Sequence, residues 1–242
     1  MSLNKVKDVI KYLRSNFSNL YFDEDLTEKE RVFLDRVDAG IKLSQLIRKY
    51  NIDEKIDLVL AIPCGGVPVA YTVAKELKKL LDLIIIRKIL IPWNTEAGYG
   101  AVDPDGTFIL NEELRAYLGF TDKEVKEHVQ LTLKEIRRRE RLFRNSRPYD
   151  NVKDKHVLLV DDGLASGYTM LAAVNFVKRK GAKDIYVASP TASLSSIRLL
   201  HKHVKYLIVS NVRLGLFGFA VADAYVVWYD VSDEEVLSYL KR

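Results

Sequence analysis

The stretch HVLLVDDGLASGYTM, residues 156–170, carries the sharpest local signal in the chain. Four apolar residues, a strand's worth, end in two adjacent carboxylates, Asp161 and Asp162. A run of small residues, 163–169, then opens a helix. Such a loop offers several backbone N–H groups and the positive end of a helix dipole to a phosphate, and the hydroxyls of Ser166 and Thr169 add donors. Small side chains let the phosphate approach the backbone. The carboxylates would repel that phosphate but suit sugar hydroxyls, or the waters of a magnesium ion, farther along the same ligand. A sugar phosphate is the implied ligand. A phosphate loop of the Gly-Lys-Ser/Thr kind is excluded because Tyr168 follows Gly167. A phosphoacceptor receiver is excluded because the sheet begins about a hundred residues earlier and the later run YLIVSNV holds no Asp.

Working outward, apolar runs recur at 57–62, 83–87, 157–162, 184–189 and 206–210. They are continuous rather than alternating and are separated by helical patterns such as 67–81, 168–180 and 194–203. This predicts a doubly wound α/β domain with a parallel sheet of about five strands covered on both faces. Helices are expected at 4–14 and 28–50 within an N-terminal region 1–50, the second opened by a Thr27/Glu30 capping box. Residues 88–110, rich in Gly and Pro, read as a long loop leading into a small hairpin around Asp103-Pro104-Asp105-Gly106. Residues 121–144 read as a polar helix capped by Thr121 and Glu124, inside a helical insertion at 111–147. A short helix with a Ser232/Glu235 box ends the C-terminal segment 211–242. No repeat or linker divides the chain, so 1–242 is expected to be one domain.

The 242 residues carry 38 basic and 33 acidic side chains, a surplus of +5. That surplus sits in KEIRRRERLFRNSR, residues 134–147, and the remainder is balanced. The expected role of the run is a solvated helix face with partial Glu135/Arg139 pairing. A subunit contact or anion-attracting rim ranks second and nucleic-acid binding third. A hydrophobic fraction of 48% suits a packed core and excludes disorder. The lone Cys64 excludes an internal disulfide, no Cys/His spacing suits zinc, and a reducing cytoplasm is the default expectation. LLDLIII at 80–86 is too short to span a bilayer and the N-terminus has no apolar signal core, so a soluble, unexported protein is expected.

VLLVDDGLASGYT resembles the phosphoribosyl-pyrophosphate (PRPP) signature of type I phosphoribosyltransferases, with Ser166 where Thr is common. RVFLDRVDAGIKLSQLI (31–47), LAIPCGGVPVAYTVAKEL (60–77), RKILIPWNTEAGYGAV (87–102) and VSDEEVLSYL (231–240) resemble, in order, one branch of that family. The resemblance implies the type I fold and transfer of a 5-phosphoribosyl group from Mg-PRPP to a nitrogenous base in nucleotide metabolism, as in purine or pyrimidine salvage. Asp161 and Asp162 would hold the ribose hydroxyls and Mg2+, directly or through water. Gly163, Leu164, Ala165, Ser166, Gly167, Tyr168 and Thr169 would complete the PRPP site and cradle its 5-phosphate. Cys64, Gly65, Gly66, Arg87 and Lys88 would receive pyrophosphate, and residues 88–102 would form a flexible lid. Tyr225 and Trp228 would stack the acceptor base, with ordinary core packing the competing reading. A homodimer is implied by the family's habit.

Two departures stand out. Cys64 occupies a place this branch gives to Arg, removing one cation, with Arg36 or Lys88 as substitutes. The segment after the fourth strand, Ser189-Pro190-Thr191, lacks the Lys that purine-salvage relatives use to read the base. They keep open a second reading, a non-catalytic PRPP sensor on the same fold. None of His128, His156, His201 and His203 shows a ligand pattern.

Overall fold

A computed structural model describes residues 3–215 and 218–241. In chain order the elements are α1 (Leu3–Asn16), β1 (Leu20–Phe22), α2 (Arg36–Lys49), β2 (Leu58–Ala61), α3 (Gly66–Leu77), β3 (Leu80–Leu83), β4 (Arg87–Ile91), β5 (Asn94–Val102) and β6 (Phe108–Leu110). They continue as α4 (Glu112–Leu118), α5 (Asp122–Arg144), β7 (His156–Val160), α6 (Tyr168–Arg179), β8 (Asp184–Ser193), α7 (Leu194–Leu200), β9 (Tyr206–Arg213) and α8 (Asp233–Leu240).

Six strands form a wholly parallel sheet in the order β1-β9-β8-β7-β2-β3. Successive residues of the central strands feed opposite cores: Leu58, Leu60, Val157 and Leu159 pack with α1, α6 and α7, whereas Val59, Ala61, Leu158 and Val160 pack with α2, α3, α5 and α8. That two-sided burial is why the strands read as unbroken apolar runs. Each such Val or Leu side chain contributes about 1.5–3 kcal/mol.

The structure shifts several expected boundaries. A sixth strand, β1, joins the edge beside β9. The strand expected at 83–87 lies at Leu80–Leu83, while the fully buried Ile84, Ile85 and Ile86 cross to a second, three-stranded antiparallel sheet, β4-β5-β6. An unbroken apolar run gives no frame for the register, which is set here by pairing with β2.

The expected helix 28–50 begins at Arg36, capped by Asp35, whose carboxylate accepts from the N–H groups of Val37 and Asp38 at 2.9 Å each. Thr27 makes no box with Glu30; its hydroxyl donates to the Asp23 carbonyl at 3.0 Å. Residues ahead of the helix instead run beside the C-terminal segment, Phe33 N–H donating to Ala224 at 3.0 Å and Val226 N–H to Phe33 at 2.8 Å.

The expected long loop is mostly ladder. β4 pairs antiparallel with β5 from Arg87/Val102 through Ile91/Asn94, with irregular register around Leu90. Its glycines belong there by close approach: a Cβ on Gly100 would lie 2.4 Å from the Ile109 carbonyl oxygen. The hairpin turn around residues 103–106 forms as expected, with Gly106 N–H on the Asp103 carbonyl at 3.0 Å. The insertion is helical: α5 carries the reciprocal Thr121/Glu124 box, and α4 precedes it. At α8 only half the box forms. Ser232 accepts from Glu235 N–H at 3.2 Å, but the Glu235 carboxylate takes the Tyr229 hydroxyl at 2.9 Å. Among the described residues no helix is long and apolar enough to cross a membrane.

Candidate active site

The strand order reverses between β2 and β7. These neighbours pair in register, Ala61 against Val160, but the chain leaves β2 toward β3 and leaves β7 toward β8. In open α/β sheets the crevice at that point collects the loops of both strands. A cavity of about 790 Å³ lies there, lined by the turn after β2, the loop after β7, the β4–β5 hairpin, Arg36, Arg139 and residues 219–222.

The carboxylates lie at its floor. Asp162 accepts from Arg36 Nε at 2.9 Å. Arg36 is itself nearly buried, donates from Nη1 to the Tyr229 carbonyl at 2.9 Å and lies with its guanidinium 4.0 Å from the centroid of Trp228. Among the described residues no cation is bonded to Asp161, whose Oδ1 accepts from the Asp162 N–H at 2.9 Å. Burial, then the charge of Asp162, pushes the Asp161 carboxyl well above the usual range, with Lys88 pulling weakly the other way. The two turns are fitted to each other: a Cβ on Gly65 would come within 2.0 Å of Asp162 Oδ2. The peptide between Pro63 and Cys64 is cis.

The loop after β7 is pinned from behind. Leu164, almost fully buried, exchanges backbone hydrogen bonds with β8: its N–H donates to Thr191 at 2.9 Å and its carbonyl accepts from Ser193 at 3.0 Å. The hydroxyl of Ser196 donates to the Leu164 carbonyl at 2.9 Å, and that of Ser193 to the Ala165 carbonyl at 2.6 Å. Among the described residues, the N–H groups of Ala165, Ser166, Gly167, Tyr168 and Thr169 have no backbone acceptor. They form a row of unused donors at the start of α6, as an anion site requires. Gly167, at φ +83°, caps that helix. Leu164 therefore anchors the loop, and its N–H is not free for phosphate. Tyr168 does not line the cavity, whereas Ser166 and Thr169 do.

Arg87 and Lys88 also line the cavity. Burial, then the charge of Arg139, lowers the pKa of Arg87. Cys64 is half-buried, and burial pushes its thiol up; the nearby Arg139 charge acts in the other direction, and the S–H lies 3.6 Å from Asp233 Oδ1. A thiol held protonated is a poor nucleophile. Gly66 lies behind the turn, against the backbone of Asp161.

Of the two aromatics proposed to stack an acceptor, only Trp228 borders the cavity. Tyr225 is almost fully buried, its ring against Phe33 at 5.5 Å and its hydroxyl on the Asp162 carbonyl at 2.7 Å. It braces the carboxylate strand end and offers no free face. Ser189 and Thr191 are also committed internally, Thr191 to Asn211 at 2.7 Å. No histidine lines the cavity; His128, for instance, meets the Tyr99 hydroxyl at 2.8 Å.

The basic run is far from a uniform solvated face. Arg144 is 1% exposed, bonded to Asp82 and to the Leu83 carbonyl at 2.7 Å, over the Tyr149 ring at 3.9 Å. Arg138 pairs with Glu135 at 2.8 Å and Asp233 at 2.6 Å, and Arg137 with Glu140 at 3.1 Å. Arg139 makes the expected pair with Glu135 at 3.1 Å and also reaches the cavity.

The sequence profile of the phosphoribosyl transferase domain matches residues 34–222. A Mycobacterium tuberculosis protein provisionally named as a phosphoribosyl transferase is 33% identical over 214 residues, 88% of this chain and 47% of that protein. This chain thus spans about half the length of the curated relatives it matches. Escherichia coli amidophosphoribosyltransferase is 29% identical over 175 residues, 72% of this chain and 28% of that one. The crystal structure of the Thermus thermophilus protein TT1426 superposes with a TM-score of 0.68 at 31% identity, over 86% of this chain and 97% of its own. With a profile match over most of its length and a doubly wound parallel sheet around this cavity, the chain belongs to the phosphoribosyl transferase domain family.

Proposed function

We propose that the protein transfers the 5-phosphoribosyl group of Mg-PRPP to a nitrogenous base and releases pyrophosphate, as in purine or pyrimidine salvage. The observation that carries this reading is the order of chemistry along one cavity. Free amides follow the carboxylate pair along one loop, the pair abuts the turn at residues 63–66, and the charges of Arg139 and Arg87 act on Cys64 in that turn. A sugar bearing a phosphate at one end and a diphosphate at the other has the same order.

In this reaction the bond from ribose C1 to the diphosphate oxygen breaks, the acceptor nitrogen bonds to C1, and the acceptor's proton leaves. The amides of residues 165–169 hold the 5-phosphate. Asp161 and Asp162 accept from the ribose hydroxyls. Arg87, Lys88 and the turn at residues 63–66 neutralise the departing diphosphate, and the β4–β5 hairpin shields C1 from water. Trp228 and the backbone of residues 219–222 border the acceptor side. Positive charge accumulates on the sugar as the bond breaks, and the Asp161/Asp162 pair stabilises it.

The carboxylate pair fits one hard cation completed by the ligand's own oxygens and water, and Asp161, unpaired and pushed toward protonation, gains from its charge. Among the described residues no group of three or more metal-ligating side chains competes for that role. When bound, Mg2+ supplies neutralising charge for the diphosphate.

The sensor reading drew on Cys64 and on the missing base-reading Lys at Ser189-Pro190-Thr191. The basic run, which would suit a nucleic-acid partner, is largely paired within the chain, so no specific observation adds to that alternative. Action in a reducing cytoplasm as a homodimer belongs to the same proposal. Calorimetric titration with Mg-PRPP tests the site: saturable binding to the wild type, weakened at least 100-fold by Asp161→Asn with Asp162→Asn, is expected. Unchanged binding by the double variant would refute it.

A further inference from the structure

Cations around the cavity are unevenly compensated. Arg36 is bonded to Asp162, and the charge of Lys88 acts on Asp161. At the Cys64 end, three guanidiniums from Arg87, Arg138 and Arg139 face two carboxylates from Glu135 and Asp233. The Arg87 side chain makes no hydrogen bond or ion pair among the described residues, and the charge of Arg139 opposes its own.

Arg139 is the less expected of the pair. α5 carries it 12% exposed to the cavity wall, with Nε on Glu135 at 3.1 Å and Nη2 on Asp233 at 3.3 Å. Nη1 is buried with no acceptor. A desolvated guanidinium N–H without an acceptor is unfavourable, and so are two guanidiniums facing each other. One anion between them removes both penalties.

We propose that Arg139 and Arg87 form a two-guanidinium clamp for the diphosphate of the substrate, with the insertion helix supplying the cation that the Pro63-Cys64-Gly65-Gly66 turn does not. The inference rests on the phosphoribosyl-transfer reading and fixes the ligand's direction, monophosphate on the amide loop and diphosphate on the arginines. Bound diphosphate draws Nη1 toward the cavity, while Glu135 and Asp233 hold the other two nitrogens, as an anchored fork should. Asp233, the first residue of α8, thereby ties the C-terminal helix to the leaving-group end.

The test compares inorganic pyrophosphate with ribose 5-phosphate by calorimetry on wild type, Arg139→Gln and Arg139→Lys. Both variants keep a donor toward Asp233, and a thermal melt checks folding. Arg139→Gln is expected to weaken pyrophosphate by about 10- to 100-fold while ribose 5-phosphate changes less than twofold, with Arg139→Lys recovering part of the loss. The clamp is overturned if Arg139→Gln leaves pyrophosphate binding unchanged, if it weakens both ligands equally, or if the wild type binds ribose 5-phosphate but not pyrophosphate. A wild type that binds pyrophosphate through Arg139 and yet ignores ribose 5-phosphate keeps the clamp and removes the phosphoribosyl reading.

Discussion

Asp161 follows β7 beside Asp162, within reach of the Lys88 charge, and among the described residues no cation is bonded to it. Its carboxyl is raised by burial and by its neighbour, so the folded protein holds a proton there that the unfolded chain releases near pH 3.8. Stability from this group is fully present below that pH and is lost as pH rises through the raised value. Asp161→Asn should therefore raise the melting temperature of the ligand-free protein at neutral pH, by about 2–4 °C for each kcal/mol relieved, while removing Mg-PRPP binding. A thermal melt series across pH checks this; a lower melting temperature for the variant would contradict it. Gly65→Ala should act on the neighbouring carboxylate. The added methyl collides with Asp162, costing about 1–3 kcal/mol and at least 10-fold in Mg-PRPP affinity by calorimetry. The paired Asp residues were legible because two charges at a strand end have few other uses. The Arg36 contact was not, since it joins residues 126 apart with no local pattern, and neither was the Tyr225 hydroxyl on the Asp162 backbone.

At the scale of elements, α5 is bolted to the parallel sheet by one buried arginine. Arg144 bonds Asp82, which also accepts from Asn151 Nδ2 at 2.8 Å, and caps the Leu83 carbonyl at the end of β3. Removing Arg144 leaves the buried Asp82 with Asn151 and the exposed Arg147 at 3.5 Å, a weaker compensation. Arg144→Ala should cost about 3–5 kcal/mol in denaturant unfolding. Arg137→Ala, which breaks an exposed pair with Glu140, should cost under about 1 kcal/mol. Asp82 stands inside the apolar run at 80–86, but no local spacing joins it to Arg144, so this pair was not legible. The β4–β5 ladder was misread as loop because glycines that permit close strand approach look the same on paper as glycines that permit turns. The α5 capping box and the hairpin around residues 103–106 were legible, being set by neighbours within four positions.

Across the whole molecule, the +5 surplus comes from the run 134–147 at the end of α5, whose arginines are largely occupied: one in the core, one at the cavity and others in ion pairs. Duplex DNA should accordingly bind no tighter than a generic weakly basic protein at about 0.1 M salt, and a gel shift that persists there would speak for the regulatory reading. The doubly wound topology followed from burial on both faces, and the strand-order reversal between β2 and β7 put the two legible motifs side by side. The acceptor side was least legible, because Trp228 and residues 219–222 enclose it with no local charge pattern. The central claim is phosphoribosyl transfer. Its most direct measurement is pyrophosphate release from Mg-PRPP across a panel of nitrogenous acceptors, run beside Asp161→Asn with Asp162→Asn. Release that requires one acceptor and disappears in the double variant is the expected result. PRPP binding without release for any acceptor, or release that survives the double variant, would contradict the account.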